Sequence, residues 1–435
     1  MSTESQTPDE QPEAPERIEA LPEPEQPEPR PNFMRLFGRY LSEANSVMVT
    51  VYSLLLAFFI GAVLLIVSDE YTRSTWTYFF ARPQDALLNS WYLVRDSYLA
   101  LFEGSILNLN TLDKFIAGTA DFGDLLRPLS ETLTYATPLI FTGLAVGLAF
   151  RAGLFNIGAQ GQLIFGMLGA LIIGFSLDLP IWLHLPLAVI AGAVAGGLFG
   201  AIPGVLKAST GAHEVISSIM LNNIAALFLV WAISTQFLHS ETSSQLVTKP
   251  VDTSARLPTL LSSLNETLRV NLALVIGVVV AIVVWWLLNR STFGFRIRAV
   301  GFNEHASATA GMHIGRTYTT TMAVSGAIAG LAGAALALGV GASGVTNNTA
   351  LEYGFDGITV ALLGRANPGG IVAAAVLFGA LKAGSLSAQP DVPVDISILL
   401  QAIIVLFIAA PALVRAILHL RTPRGGLVTL EAKGW

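Results

Sequence analysis

Uncharged runs of about twenty residues recur along this chain, and that is the length a helix needs to cross a hydrocarbon core of about 30 Å. Thr132–Phe150 and Ala152–Leu177 carry no formal charge and are separated only by Arg151. The second run places three amides near its start, in Gly153-Leu-Phe-Asn-Ile-Gly-Ala-Gln-Gly-Gln162. Amides and glycines at membrane depth are costly unless they line a protein interface or a wet path. A large soluble core cannot account for so many such runs. Charged residues make up 12% of the chain, against about 25% in soluble domains, and the mean hydropathy is +0.62. The class is an all-α, polytopic integral membrane bundle.

The net charge of −6 belongs to one end. Residues 1–31 hold nine acids and two arginines, so the remainder is close to neutral. That Pro- and Glu-rich stretch cannot bury a core and is expected to be a disordered cytoplasmic tail. No basic patch suits nucleic acid. With no cysteine, disulfides and thiolate chemistry are excluded, and the six histidines show no ligand spacing. No secretory signal is expected at this start. No catalytic cluster, metal site or cofactor motif stands out, and none of the lysines sits in a phosphate-binding Gly-x-x-x-x-Gly-Lys context. Energy from ATP would come from another chain.

The transmembrane domain is expected over 32–420, with a cytoplasmic tail at 421–435. Arg30, Arg35 and Arg39 precede the first run, 44–68, which places the N-terminus inside by the positive-inside bias. Residues 69–130 then form an external segment, with a helix near 86–101 lying on the outer surface or dipping into it. Further spans are expected at 132–150, 161–177, 182–206, 215–237, 271–289, 317–342, 368–387 and 396–418. The basic loop 290–316 falls inside. Full spans alone would strand Arg415, Arg421 and Arg424 outside, and the one segment that can repair this is Gly354–Gly364. At 1.5 Å per residue it is too short to cross. A broken or re-entrant half-helix is therefore expected, giving about ten crossings with both termini cytoplasmic. Lys382 lies toward an outer end, where it can snorkel to water.

Small residues recur every four positions at Gly192, Gly196, Gly200 and Gly204, and again at Gly326 and Gly330 and at Gly333, Ala337 and Gly341. Such stripes let helix backbones touch. The segments 150–174 and 364–384 share an Arg-Ala pair followed by a glycine-bearing turn and an apolar helix, a faint internal likeness of the kind transporters show. In the loop 290–316, Asn303 suits a helix N-cap and Gly311 a stop, with a short helix of small residues between them. It reads equally as an exposed connector or as a helix seated in a partner's groove.

Four blocks carry a resemblance. They are Gly143-Leu-Ala-Val-Gly-Leu-Ala-Phe-Arg-Ala-Gly-Leu-Phe-Asn-Ile-Gly-Ala-Gln-Gly-Gln162, Glu214-Val-Ile-Ser-Ser-Ile-Met-Leu-Asn-Asn223, Arg298-Ala-Val-Gly301 with the Asn-Glu and Ala-Gly that follow, and Gly354-Phe-Asp-Gly-Ile-Thr-Val-Ala-Leu-Leu-Gly364. The chain resembles the permease subunits of bacterial ABC importers in the branched-chain amino acid and monosaccharide permease superfamily. It looks most like those for nucleosides and simple sugars that work with basic-membrane-protein-type lipoproteins. The likeness runs from about 44 to 420. It departs at Gln160, where the family often has Glu, and in the acidic tail.

The resemblance implies a bacterial cell-membrane permease, not itself an enzyme, with nucleosides as cargo and ribose-like or other simple sugars as the alternative. It implies a cytoplasmic ATPase subunit, a second related permease or another copy of this chain, and an external binding lipoprotein. The loop helix becomes the coupling element, carried by Arg298, Gly301, Asn303, Glu304, Ala306 and Gly311. A polar path for a small solute would use Asn156, Gln160, Gln162, Asn222, Asn223 and Asp356, each of which reads also as a helix-packing hydrogen bond. An ion-coupled secondary carrier stays open as a different class, although intramembrane charges are scarce.

Overall fold

A computed structural model describes residues 46–241, 243–350 and 352–387, with scattered positions between 398 and 418. The expected tails at 1–31 and 421–435 lie outside the described residues. The expected last span at 396–418 lies mostly outside them; its described positions are almost all helical, and the Phe407 carbonyl accepts from the Ser53 hydroxyl at 3.4 Å.

The described residues are helical with no strand; two isolated bridges, His239–Thr248 and Thr259–Asn271, are the only β pairing among them. In chain order the helices are α1 (Ser46–Ser68), α2 (Glu70–Trp76), α3 (Pro83–Ser105), α4 (Leu109–Ile116), α5 (Phe122–Phe150), α6 (Ala159–Ser176), α7 (Ile181–Thr210) and α8 (Glu214–Ser234). After a long loop come α9 (Leu272–Arg290), α10 (Thr292–Phe302), α11 (Glu304–Thr309), α12 (Ile314–Ala335), α13 (Tyr353–Leu363) and α14 (Pro368–Ser387). Among the described residues eight helices are long and apolar enough to cross a membrane: α1, α5, α6, α7, α8, α9, α12 and α14. This is a multi-pass membrane protein.

Burial separates the centre from the rim. In α5, 83% of the most apolar window is buried, against 22% in α1. Phe59 on α1, Trp231 on α8 and Ile282 on α9 present large apolar side chains outward, as a lipid-facing wall requires.

The central packing follows the glycine stripes. The Gly196 and Gly200 backbones of α7 lie directly on Gly326 and Gly330 of α12, while Gly166 of α6 meets Gly330 from the other side. A Cβ at any of these positions would fall on the neighbour's main chain, so three helices touch backbone to backbone.

Several boundaries shift from expectation. The span expected from 132 begins ten residues earlier. The Asp124 carboxylate accepts from the Asp121 N–H at 3.2 Å, which starts α5 inside the segment expected to be external. Pro128 and Pro138 lie within α5; the Thr134 and Thr142 hydroxyls nearby bond back to the Ser130 carbonyl at 2.7 Å and the Pro138 carbonyl at 3.0 Å. α7 runs on to Thr210 and stops at Gly211, whose φ of 71° suits a left-handed cap. α8 ends at Ser234, short of 237.

The helix expected near 86–101 is present as α3, and it packs along α14 rather than only on the surface: Gly104 meets the Gly384 backbone. Tyr98 donates to the Phe58 carbonyl at 2.5 Å, and burial pushes its phenol up to about 12, so it remains a donor. His184 ties α7 to the loop before α9. Its Nε2 donates to the Ile173 carbonyl at 2.9 Å, and its Nδ1 lies 2.6 Å from the Ser254 hydroxyl.

Candidate functional site

The sequence blocks that carried the resemblance converge at one end of α5. The chain leaves α5 at Arg151, turns through Gly153 at φ 69°, and enters α6 at Ala159. Gly301, at the end of α10, packs so tightly on this turn that a Cβ there would strike the Arg151 carbonyl. A second turn follows α13, with Arg365 at φ 53° and Ala366 at φ 49°. The Arg151 guanidinium donates through Nε and Nη2 to the Ala366 carbonyl at 3.1 and 3.0 Å. The two Arg-Ala turns that looked alike in sequence are therefore joined.

Inside this end sits the amide cluster. Asn156 Nδ2 donates to Gln162 Oε1 at 2.9 Å and to Ser325 Oγ at 2.7 Å, and Gln162 Nε2 returns a bond to Asn156 Oδ1 at 3.0 Å. Ser325 passes its proton on to the Ala145 carbonyl at 2.6 Å. Gln160 donates to the Ala350 carbonyl at 2.6 Å and accepts from the Gly354 N–H at 2.8 Å, which seats the start of α13. Asn222 bridges the Gly161 N–H and the Ile157 carbonyl, both at 2.9 Å. All four amides are at least 94% buried. Their groups are engaged with α5, α6, α8, α12 and α13, so they fasten helices together.

Two expected path residues lie elsewhere. Asn223 faces outward beside Met220 and Leu227 and turns its amide back to the Ile219 carbonyl at 3.1 Å. Asp356 is half-buried one turn into α13, within Coulombic reach of Lys382. Lys382 itself does not snorkel outward; its ammonium lies 4.3 Å from the centre of the Tyr353 ring.

The expected loop helix is α11. Asn303 Oδ1 accepts from the Ala306 N–H at 3.0 Å, and Gly311 follows at φ 81°. Arg298 and Gly301 belong to a separate helix, α10, which the sequence reading did not separate; Ser291 caps it by accepting from the Gly294 N–H at 2.9 Å. Every α11 residue except Ser307 is exposed, including Glu304 and Ala306. Beside it a groove of about 460 Å³ is lined by Arg296, His313 and Arg316.

A polar chain leads from α11 to the turn. Glu304 faces the Tyr318 hydroxyl, the Lys207 ammonium lies 5.3 Å from the Tyr318 ring centre, Lys207 pairs with the buried Glu214 at 2.6 Å, and Glu214 accepts from the Phe155 N–H. The spacing of Lys207 and Glu214 across a helix break hid this pair from sequence reasoning.

Two further cavities lie toward the other end of α5. One, of about 470 Å³, carries both signs of charge, with Glu103, Asp124, Arg127, Glu131 and Arg269 among its lining. Another, of about 200 Å³, is bounded by Thr134, Tyr135, Val340, Gly341, Thr349 and Tyr353. Apart from Gly341, noted as part of a small-residue stripe, none of these residues was singled out from sequence. Tyr353, directly ahead of the Gly354 block, was the available signal.

A buried glycine-packed bundle, an interrupted helix at its centre and an exposed loop helix at one end are the architecture of a membrane permease. The chain matches the model described as the branched-chain amino acid transport system permease component over residues 129–409, and it belongs to that family. It is similar to the guanosine ABC transporter permease protein NupP of Bacillus subtilis (strain 168), 40% identical over 335 residues that cover 76% of this chain and 90% of that one. It is also similar to the nucleoside ABC transporter permease protein NupB of Lactococcus lactis subsp. cremoris (strain MG1363), at 38% over 67% of this chain and 82% of that one. The glucose ABC transporter permease protein TsgB13 of Haloferax volcanii is 31% identical, over 67% and 77% respectively. No solved structure matches the chain.

Proposed function

We propose that this chain is the transmembrane permease of an ATP-driven importer that carries nucleosides into the cell. The observation that carries this is the similarity to guanosine and nucleoside permeases across most of both chains. A glucose permease among the relatives makes a simple sugar the second reading. An external binding protein delivers the solute, a cytoplasmic ATPase supplies the work, and a second permease, related or identical, completes the membrane part.

In this reading α11 is the coupling helix. It is short, rich in alanine and exposed on nearly all sides, as a helix that docks in another subunit's groove must be. Glu304 sets its register, and the chain through Tyr318, Lys207 and Glu214 passes movement to the turn that holds α6. The half-helix α13 makes a tenth crossing, its start held by Gln160, which accepts from the Gly354 N–H. Both termini are then cytoplasmic.

Uptake of labelled guanosine tests the reading in cells with and without this chain, each with the ATPase intact or inactivated. Uptake that needs both chains is expected. Guanosine uptake that ignores the ATPase would make the chain a secondary carrier, and uptake of glucose alone would move the substrate to sugars. Glu304→Arg should leave insertion intact and abolish uptake; unchanged uptake removes the coupling role. A thiol placed at Thr422 should react only with reagent supplied from the cytoplasm, and labelling from outside overturns the tenth crossing.

A further inference from the structure

The 200 Å³ cavity is built where three elements break their regularity. α12 gives way to a π-helical turn, Leu336–Val340, and such single turns concentrate at functional sites. The chain then re-enters helix at α13 through Glu352, a non-glycine residue at φ 71°. On the facing wall, Pro138 interrupts the hydrogen bonding of α5 one turn beyond Thr134 and Tyr135. Interrupted helices meeting inside a bundle are where transporters hold their cargo.

Unlike the amide cluster, this wall keeps hydrogen-bonding capacity in reserve. Tyr353 is 93% buried and lines the cavity, and among the described residues its hydroxyl has no hydrogen-bond partner. Its ring is held from behind by the Lys382 ammonium, so the hydroxyl has a fixed direction. Tyr135 likewise makes no hydrogen bond there and borders both this cavity and the 470 Å³ one.

The chemistry of the wall selects a class of ligand. Its polar groups are two phenols in reserve and two threonine hydroxyls already bonded within the protein, with no charge among the described lining residues. Phenol rings stack on the face of a planar base, and hydroxyls bond a base edge or a ribose. A phosphorylated solute would find no cation in the lining to neutralise it.

We infer that the cavity between Tyr135 and Tyr353 is a nucleoside-binding station of this permease, reached from the charged cavity past Tyr135. The inference rests on the nucleoside reading above. At about 200 Å³ the space is below the roughly 300–1,000 Å³ of ordinary ligand pockets, so it admits one ring system at a time. Binding there is accordingly weak and transient, as a station on a path requires.

The chain has no native cysteine, so Thr349→Cys introduces a sole thiol into the wall. In cells that import guanosine, a positively charged methanethiosulfonate reagent should block uptake through this variant, and guanosine should slow the labelling. Val340→Cys, on another wall, gives the same reading should the first variant fail to insert. Tyr353→Phe should slow maximal guanosine uptake about 2- to 12-fold, the value of one neutral hydrogen bond, with insertion and protein level unchanged. Guanosine uptake with no protection at either thiol, or with an unchanged maximal rate in Tyr353→Phe, overturns the station and leaves the nucleoside reading standing. Absence of guanosine uptake, with glucose imported and glucose protecting the thiols, overturns the nucleoside assignment of both.

Discussion

The amide cluster around Asn156 and the cavity around Tyr353 are both polar and both enclosed by helices, and they differ in what their polar atoms are doing. Asn156, Gln160, Gln162 and Asn222 have their amide groups engaged with the protein itself. Among the described residues the Tyr353 hydroxyl has no such partner. A buried polar group bonded to its own fold stabilises that fold; one held in readiness stabilises nothing until a ligand arrives. Polarity at membrane depth is thus no guide to the path by itself, and the hydrogen-bond account separates scaffold from site.

That contrast breaks most readily at Asn156. Asn156→Leu would strand the Gln162 side chain and remove one of the Ser325 partners, at about 1–3 kcal/mol for each group left unsatisfied. The purified protein should lose several degrees of thermal stability, and surface levels should fall with it. A variant as stable as the parent would show that the cluster is not structural.

Gln160→Glu has a smaller, pH-dependent effect. A carboxylate there can still accept from Gly354 but repels the Ala350 carbonyl unless it is protonated. The variant should match the parent at acidic pH, where the added carboxyl is protonated, and melt at a lower temperature at alkaline pH, where it is not. Equal melting at pH 5 and pH 8 would refute this.

Tyr353→Phe removes a group with no partner among the described residues, so stability should change by no more than about 0.5 kcal/mol while transport kinetics move. A marked loss of thermal stability would place Tyr353 with the scaffold. Asn223→Leu should have the least effect of all, because its side chain points away from the bundle. Loss of uptake without loss of protein would reveal a partner on that face.

Much of the bundle was legible because run length and charge placement are one-dimensional signals. The eight described spans, the Asn303 cap, the Gly311 stop and the short helix at Gly354–Gly364 follow from them. Facing was not legible. Asn222 and Asn223 are neighbours in sequence but about 100° apart around α8, and a helix apolar on all sides gives no stripe to tell inward from outward. The same uniformity hid the π turn and the inward aim of Lys382. The early start of α5 was missed because Asp124, Arg127 and Glu131 look like loop residues, whereas they line a polar cavity along a continuing helix.

Where α6, α7 and α12 touch at Gly166, Gly196, Gly200, Gly326 and Gly330, no side chain lies between the backbones. Side chains absorb displacement by changing rotamer, and bare main chain has no such slack. The three helices form a stiff plate, pressed at one edge by Gly301 on the Arg151–Gly153 turn and carrying at another the π turn of the cavity wall. Movement of any one of the three helices is therefore expected to carry the other two with it, as in a lever rather than a spring.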